Sequence, residues 1–156
     1  ARYKGFTPAG PDHAQVAAGA GLADYAEALA AHHGAPAGTP AERAEFVHDL
    51  MRAQEVKLLQ PLLDALGERN DVRLIGPKDA ALRAPTVALD LGRPAEPVAA
   101  ALAGHGIMAG GGDFYAVRAL DAMGIDPAQG VLRLSFTHYT TEKEVNKLID
   151  ALNAVL

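Results

Sequence analysis

Apolar and polar positions alternate along this chain with two periods, and the change from one to the other falls near Asp71. Before it the spacing is helical. From Asp12 to about His33, Val16, Ala20, Ala23, Tyr25, Ala26 and Leu29 recur as on one face of a helix. Gly19 and Gly21 each weaken such a helix by about 1 kcal/mol relative to alanine, which points to tight packing against a neighbour. Thr39-Pro40-Ala41-Glu42 predicts the start of a second, longer helix. Threonine stands at the N-cap, proline in the first turn where its missing N–H is harmless, and glutamate where it reciprocates the cap. Its apolar face runs from Phe46 and Val47 through Leu58, Leu59, Leu62 and Leu63 to Leu66, with Pro61 at an expected bend and Gly67 as the expected C-cap.

After Asp71 short alternating runs bounded by turn residues predict strands over 72–76, 86–91, 106–109 and 131–136. Helical stretches separate them: Pro94 to Ala103, ending at Gly104, and Phe114 to Met123. A last helix opens on the capping box Thr141-Glu142-Lys143-Glu144 and carries Val145, Leu148, Ile149, Leu152 and Val155 on one face. The expected fold is α+β: a small, mostly antiparallel sheet covered by helices on one face, preceded by a helical segment. The expected division is residues 1–67 as the helical part and 68–156 as the small α+β domain. The run Gly110-Gly111-Gly112 lacks the spacing of a nucleotide-binding fingerprint and reads as a flexible loop.

Composition narrows the chemistry. The chain has 156 residues, 49% of them hydrophobic, enough for one ordinary core. A formal charge of -5 and no basic stripe argue against a nucleic-acid partner. No apolar run approaches the roughly 20 residues of a membrane helix. With no cysteine there is no disulfide framework, no thiolate zinc site and no cysteine nucleophile, so a cytoplasmic location is the default. The histidines lack ligand spacing, so no metal is expected, and Ser135 is the chain's one serine, which weakens any hydrolase reading. The N-terminus, Ala1-Arg2-Tyr3-Lys4, reads as cut from something longer.

The residue singled out by pattern is Arg133. Strand alternation puts Leu132, Leu134 and Phe136 on one face and Arg133 with Ser135 on the other, so the guanidinium points away from the helix-covered core. Its planar fork matches a carboxylate. A solvent-facing strand arginine is the plain alternative. His138 and Tyr139 follow the same strand, His138 as a local cap or packing residue and Tyr139 as an anchor for the last helix.

Arg83-Ala84-Pro85-Thr86-Val87-Ala88-Leu89 is followed by Gly106-Ile107-Met108-Ala109 with Gly110 to Ala116. Then come Gly130-Val131-Leu132-Arg133-Leu134-Ser135 and His138-Tyr139-Thr140-Thr141-Glu142-Lys143-Glu144-Val145. In that order they resemble the C-terminal small domain of class V aminotransferases and cysteine desulfurase-like proteins. More weakly, Phe6 to His13 and the helix to Tyr25 resemble the segment that closes the large domain of those enzymes. The resemblance implies a fold-type I enzyme dependent on pyridoxal 5'-phosphate (PLP), normally a homodimer, acting on an amino acid by transamination, elimination or desulfuration. It implies that Arg133 binds the substrate's α-carboxylate, and that residues 1–67 close the large domain and supply the interdomain helix. The rest of that large domain is the expected partner. The Schiff-base lysine is expected outside this chain: Tyr3-Lys4 matches the lysine motif only in part, since Ala1 replaces its serine. No PLP is then expected on this chain alone, which by itself would be inactive. Tyr115 falls roughly where the persulfide-forming members carry their catalytic cysteine, and a phenol cannot take up sulfane sulfur as a thiolate does. The alternative function is an autonomous, non-enzymatic small-molecule-binding or regulatory α+β domain.

Overall fold

The structure is a computed structural model that describes residues 12–156. The chain divides into two compact units, residues 1–51 and 52–156.

In the first unit Asp12 caps α1 (His13–Ala18), its carboxylate accepting from the main-chain N–H of Ala14 and Gln15. The predicted single helix is broken: α1 stops at Gly19 and α2 runs Ala20–His32. Glycine's low helix propensity explains the break. A methyl group at Gly21 would meet no described atom within 4 Å, so among the described residues the expected close neighbour is absent. Val16, Leu22 and Tyr25 are exposed. The Thr39 capping box forms as expected, Thr39 N–H donating to Glu42 at 2.6 Å and Glu42 N–H to the Thr39 hydroxyl at 3.3 Å. It opens α3 (Pro40–Gly67), whose Arg43 grips Glu27 through two hydrogen bonds of 2.7 and 3.0 Å. The helix runs on through Pro61. Gly67 is its last residue and keeps a negative φ, so it is not a left-handed cap.

The second unit follows the predicted order: β1 (Arg73–Ile75), β2 (Thr86–Asp90), α4 (Ala95–Gly104), β3 (Gly110–Gly112), α5 (Val117–Ala122), β4 (Val131–Ser135) and α6 (Glu142–Val155). The four strands form one antiparallel sheet in the order β1-β2-β4-β3. Alternation decides what each face buries. Val87 and Leu89 of β2 and Leu132 and Leu134 of β4 enter the main core with Leu58, Leu59, Leu62 and Leu63 of α3, Leu102 of α4, and Val145, Leu148 and Leu152 of α6. Ala88 and Val131 point the other way, into a smaller cluster with Leu120 and Ile125 that α5 closes.

The third strand is where the sequence expectation fails. It is not 106–109 but the three glycines, and they are not a flexible loop. Gly111 lies so close to the start of α4 that a methyl group there would stand 2.6 Å from the backbone of Ala95 and Glu96. Contact of helix backbone on strand backbone requires a residue without a side chain, and hydrogen bonding to β4 supplies the order that composition does not. The helix predicted from Phe114 begins only at Val117, because Phe114 and Tyr115 take left-handed backbone conformations, φ 50° and 60°.

Candidate functional site

Arg133 stands in the middle of β4, opposite Ala88 of β2 on one side and Gly110 of β3 on the other. Its neighbours Leu132 and Leu134 are buried and it is exposed. The side chain therefore leaves the main core, as the alternation predicts. Its guanidinium lies 4.1 Å from the centroid of the Phe114 ring. Among the described residues it has no carboxylate partner, so the edge of the fork stays open. Beside it lies a hollow of about 200 Å³ lined by Ile75, Ala88, Ala119, Leu120 and Met123, with Thr86, Asp113, Phe114 and Arg133 among its walls.

The turn that follows β3 shapes this region. The Asp113 carboxylate accepts from Tyr115 N–H at 3.0 Å, and its carbonyl accepts from Ala116 N–H at 2.8 Å. Phe114 and Tyr115 thus occupy the two central positions of a tight turn where Gly or Asn is usual. They project differently: Phe114 packs on the second cluster, and Tyr115 is fully exposed.

Other residues named from sequence lie elsewhere or act differently. Ser135 shares its face with Arg133 and its hydroxyl lies 3.3 Å from that of Thr86. Tyr139 does not anchor α6: it is exposed and meets the His138 ring edge-on at 5.2 Å. The helix is held at that end by its capping box, Glu144 accepting from Thr141 N–H at 2.8 Å and from its hydroxyl at 2.7 Å. Those bonds, the hydroxyl first, hold the Glu144 carboxyl below its ordinary pKa. Lys57 is paired with Glu142 at 2.6 Å, and Lys147 reaches the Gly106 carbonyl at 3.4 Å. Neither these nor Lys78 or Lys143 lines the hollow, so the described lysines do not fit a PLP Schiff base beside Arg133. Lys4 lies outside the described residues. No three His, Asp or Glu side chains among the described residues are grouped to hold a metal.

Phe114 is the residue sequence reasoning missed. Its contact with Arg133 depends on the register that sets Gly110 opposite Arg133, and no pattern announced a strand made of glycine.

The family model described as aminotransferase class-V matches residues 42–148. The chain belongs to that family. Among solved structures this class V chain is similar to the apo cysteine desulfurase from Thermococcus onnurineus NA1, 27% identical, with a TM-score of 0.60 over 77% of this chain and 32% of that one. Two others share the fold: the cysteine desulfurase CsdA from Escherichia coli (24% identity, TM-score 0.58, 76% of this chain and 31% of that chain) and a NifS-like protein from Rickettsia africae ESF-5 (18%, 0.56, 74% and 32%). The class V chain spans about a third of the length of each. No curated protein sequence matches it. The likeness agrees with an α+β small domain, and among the described residues no helix is long and apolar enough to cross a membrane.

Proposed function

We propose that this chain is the C-terminal part of a PLP-dependent enzyme acting on an amino acid, and that Arg133 holds the substrate's α-carboxylate. The observation that carries the reading is an exposed arginine whose guanidinium carbon lies over the Phe114 ring, without a carboxylate partner among the described residues, beside an apolar hollow. A fork held that way offers two parallel N–H donors to a carboxylate. Family membership supplies the reaction class, and the similarity to a cysteine desulfurase supports an amino-acid substrate. The cofactor, its lysine and the dimer contacts then belong to the remainder of a longer cytoplasmic protein, with residues 1–67 closing its large domain. Tyr115 stands exposed on the turn after β3, and a phenol has no route to a persulfide, so elimination or transamination is favoured over sulfur transfer.

The test is made in the full-length enzyme loaded with PLP. Arg133→Lys keeps the charge and loses the fork; Arg133→Ala loses both. A charge-assisted hydrogen bond is worth about 1.5 to 3 kcal/mol, so Arg133→Ala should lower kcat/KM roughly 10- to 150-fold, with Arg133→Lys between it and wild type. The same variants should lose little on the corresponding amine without a carboxylate. Equal turnover of the amino acid by wild type and both folded variants would refute the assignment.

A further inference from the structure

We propose that Phe114 is a positioning residue for Arg133: its ring is a shelf that fixes the plane of the guanidinium while leaving every N–H free for an incoming carboxylate. The proposal rests on the reading of Arg133 as the group that binds the substrate's carboxylate.

The contact itself and two features of the backbone support this. The first is the stack itself, with the guanidinium carbon 4.1 Å from the ring centroid, inside the range at which a cation is attracted to the face of an aromatic ring. An acidic partner would also fix an arginine, but it would occupy the fork and cancel its charge. A ring face consumes no donor, because all five N–H bonds lie in the guanidinium plane and point outward from its edge. The second is the strained turn. Phe114 at φ 50° and Tyr115 at φ 60° are held where L-residues other than Gly, Asn and Asp are disfavoured, and turn chemistry alone would not select two bulky aromatics there. The conformation is sustained by the Asp113 hydrogen bonds to Tyr115 and Ala116, and it places the Phe114 ring against the second cluster and beneath Arg133. The third is Gly110. It pairs with Arg133 across the sheet, and a methyl group on it would stand 2.9 Å from the tip of the Phe114 ring. The absent side chain is the space the ring occupies. Gly110, Phe114 and Arg133 are thus one constellation: a gap, a ring that fills it, and a cation on the ring.

The stack restricts a long, flexible side chain before the substrate arrives, so less rotamer freedom is lost on binding. At an exposed site such a contact is modest, which sets the expected effect at about two- to fivefold in carboxylate affinity.

The experiment follows the Arg133 Nε–Hε resonance of this chain by NMR during titration with sodium acetate at constant ionic strength. In the wild type the resonance should lie upfield, shielded by the ring, and should move saturably with acetate. Phe114→Leu keeps an apolar side chain on the second cluster but removes the ring face. It should return the resonance toward the ordinary arginine position and raise the acetate dissociation constant about two- to fivefold. Gly110→Ala changes neither Phe114 nor Arg133 but displaces the ring, because its methyl group would stand 2.9 Å from the ring tip, so it should change the resonance and the affinity in the same direction. Thermal unfolding of each variant accompanies the titration, so that the comparison is made between folded samples. If acetate moves the wild-type resonance and Phe114→Leu, folded, binds it equally well, Phe114 has no positioning role and Arg133 keeps its own. If acetate never moves the wild-type resonance saturably, the carboxylate reading of Arg133 falls and this proposal falls with it.

Discussion

Replacing Gly111 by alanine adds one methyl group to the chain, and the structure says where that methyl goes. It would stand 2.6 Å from the Ala95 carbonyl carbon and from the Glu96 nitrogen and Cα. Favourable contacts between such atoms lie at about 3.5 to 4.0 Å, so strand and helix must separate by roughly 1 Å. Neither side yields easily. The atoms struck are backbone and cannot rotate away. Ala95 is fully buried and its N–H is hydrogen-bonded to the Gln129 carbonyl at 3.0 Å, while β3 is paired with β4 along Gly110, Gly111 and Gly112. Overpacking costs typically about 1 to 3 kcal/mol, and a rigid contact on both sides belongs in the upper half of that range. The stiffer unfolded chain returns about 0.4 to 1 kcal/mol, which leaves a net loss of roughly 1 to 2.5 kcal/mol. For a domain of about 100 residues that is a fall in Tm of roughly 5 to 15 °C. Urea denaturation should show a lower midpoint with an unchanged slope. Gly104→Ala is the control: it ends α4, meets nothing within 4 Å among the described residues, and should be neutral or stabilising by up to about 1 kcal/mol. If Gly111→Ala is as stable as the wild type, the close approach of α4 to β3 is not what requires glycine there.

Two further substitutions probe how the second unit is fastened. Thr141→Ala removes the N-cap of α6 and should cost about 1 kcal/mol by urea denaturation at neutral pH. Because the Thr141 hydrogen bonds depress the Glu144 pKa, that carboxylate contributes stability above its unfolded pKa, and the contribution fades as pH falls below about 4.3. The gap between variant and wild type should therefore narrow on acidification, and a constant gap down to low pH would refute the role given to Glu144. Arg83 donates to the carbonyls of Pro77 at 2.7 Å, Ile75 at 3.2 Å and Thr86 at 2.8 Å, clamping the connection between β1 and β2. Arg83→Lys keeps a charge but cannot span three acceptors, so it should destabilise by about 1 to 3 kcal/mol; an unchanged denaturation midpoint would show that water replaces the lost bonds without penalty.

What was legible in the sequence divides along a physical line between signals a residue carries by itself and contacts that exist only after folding. The capping boxes at Thr39 and Thr141 are local: the side chain that accepts and the N–H that donates are three residues apart, so the spacing alone announces them. β2 and β4 are nearly as local, because alternation of Val87 and Leu89 with Ala88, or of Leu132 and Leu134 with Arg133, states which face is buried before any partner is known. That alternation was enough to set Arg133 apart from the core. It could not find β3. A glycine run has no side chains to alternate, and each of these glycines is explained by something remote in sequence: Gly111 by the start of α4, Gly110 by a ring four residues on that has turned back through a left-handed backbone. Placing the strand four residues early then hid the rest of the site, since a register that pairs 106–109 with β4 never sets Gly110 opposite Arg133 and never brings Phe114 beneath it. The arginine could be read from the sequence because its strand states its own orientation. Its surroundings could not, because they are built on residues whose contribution is the space they leave.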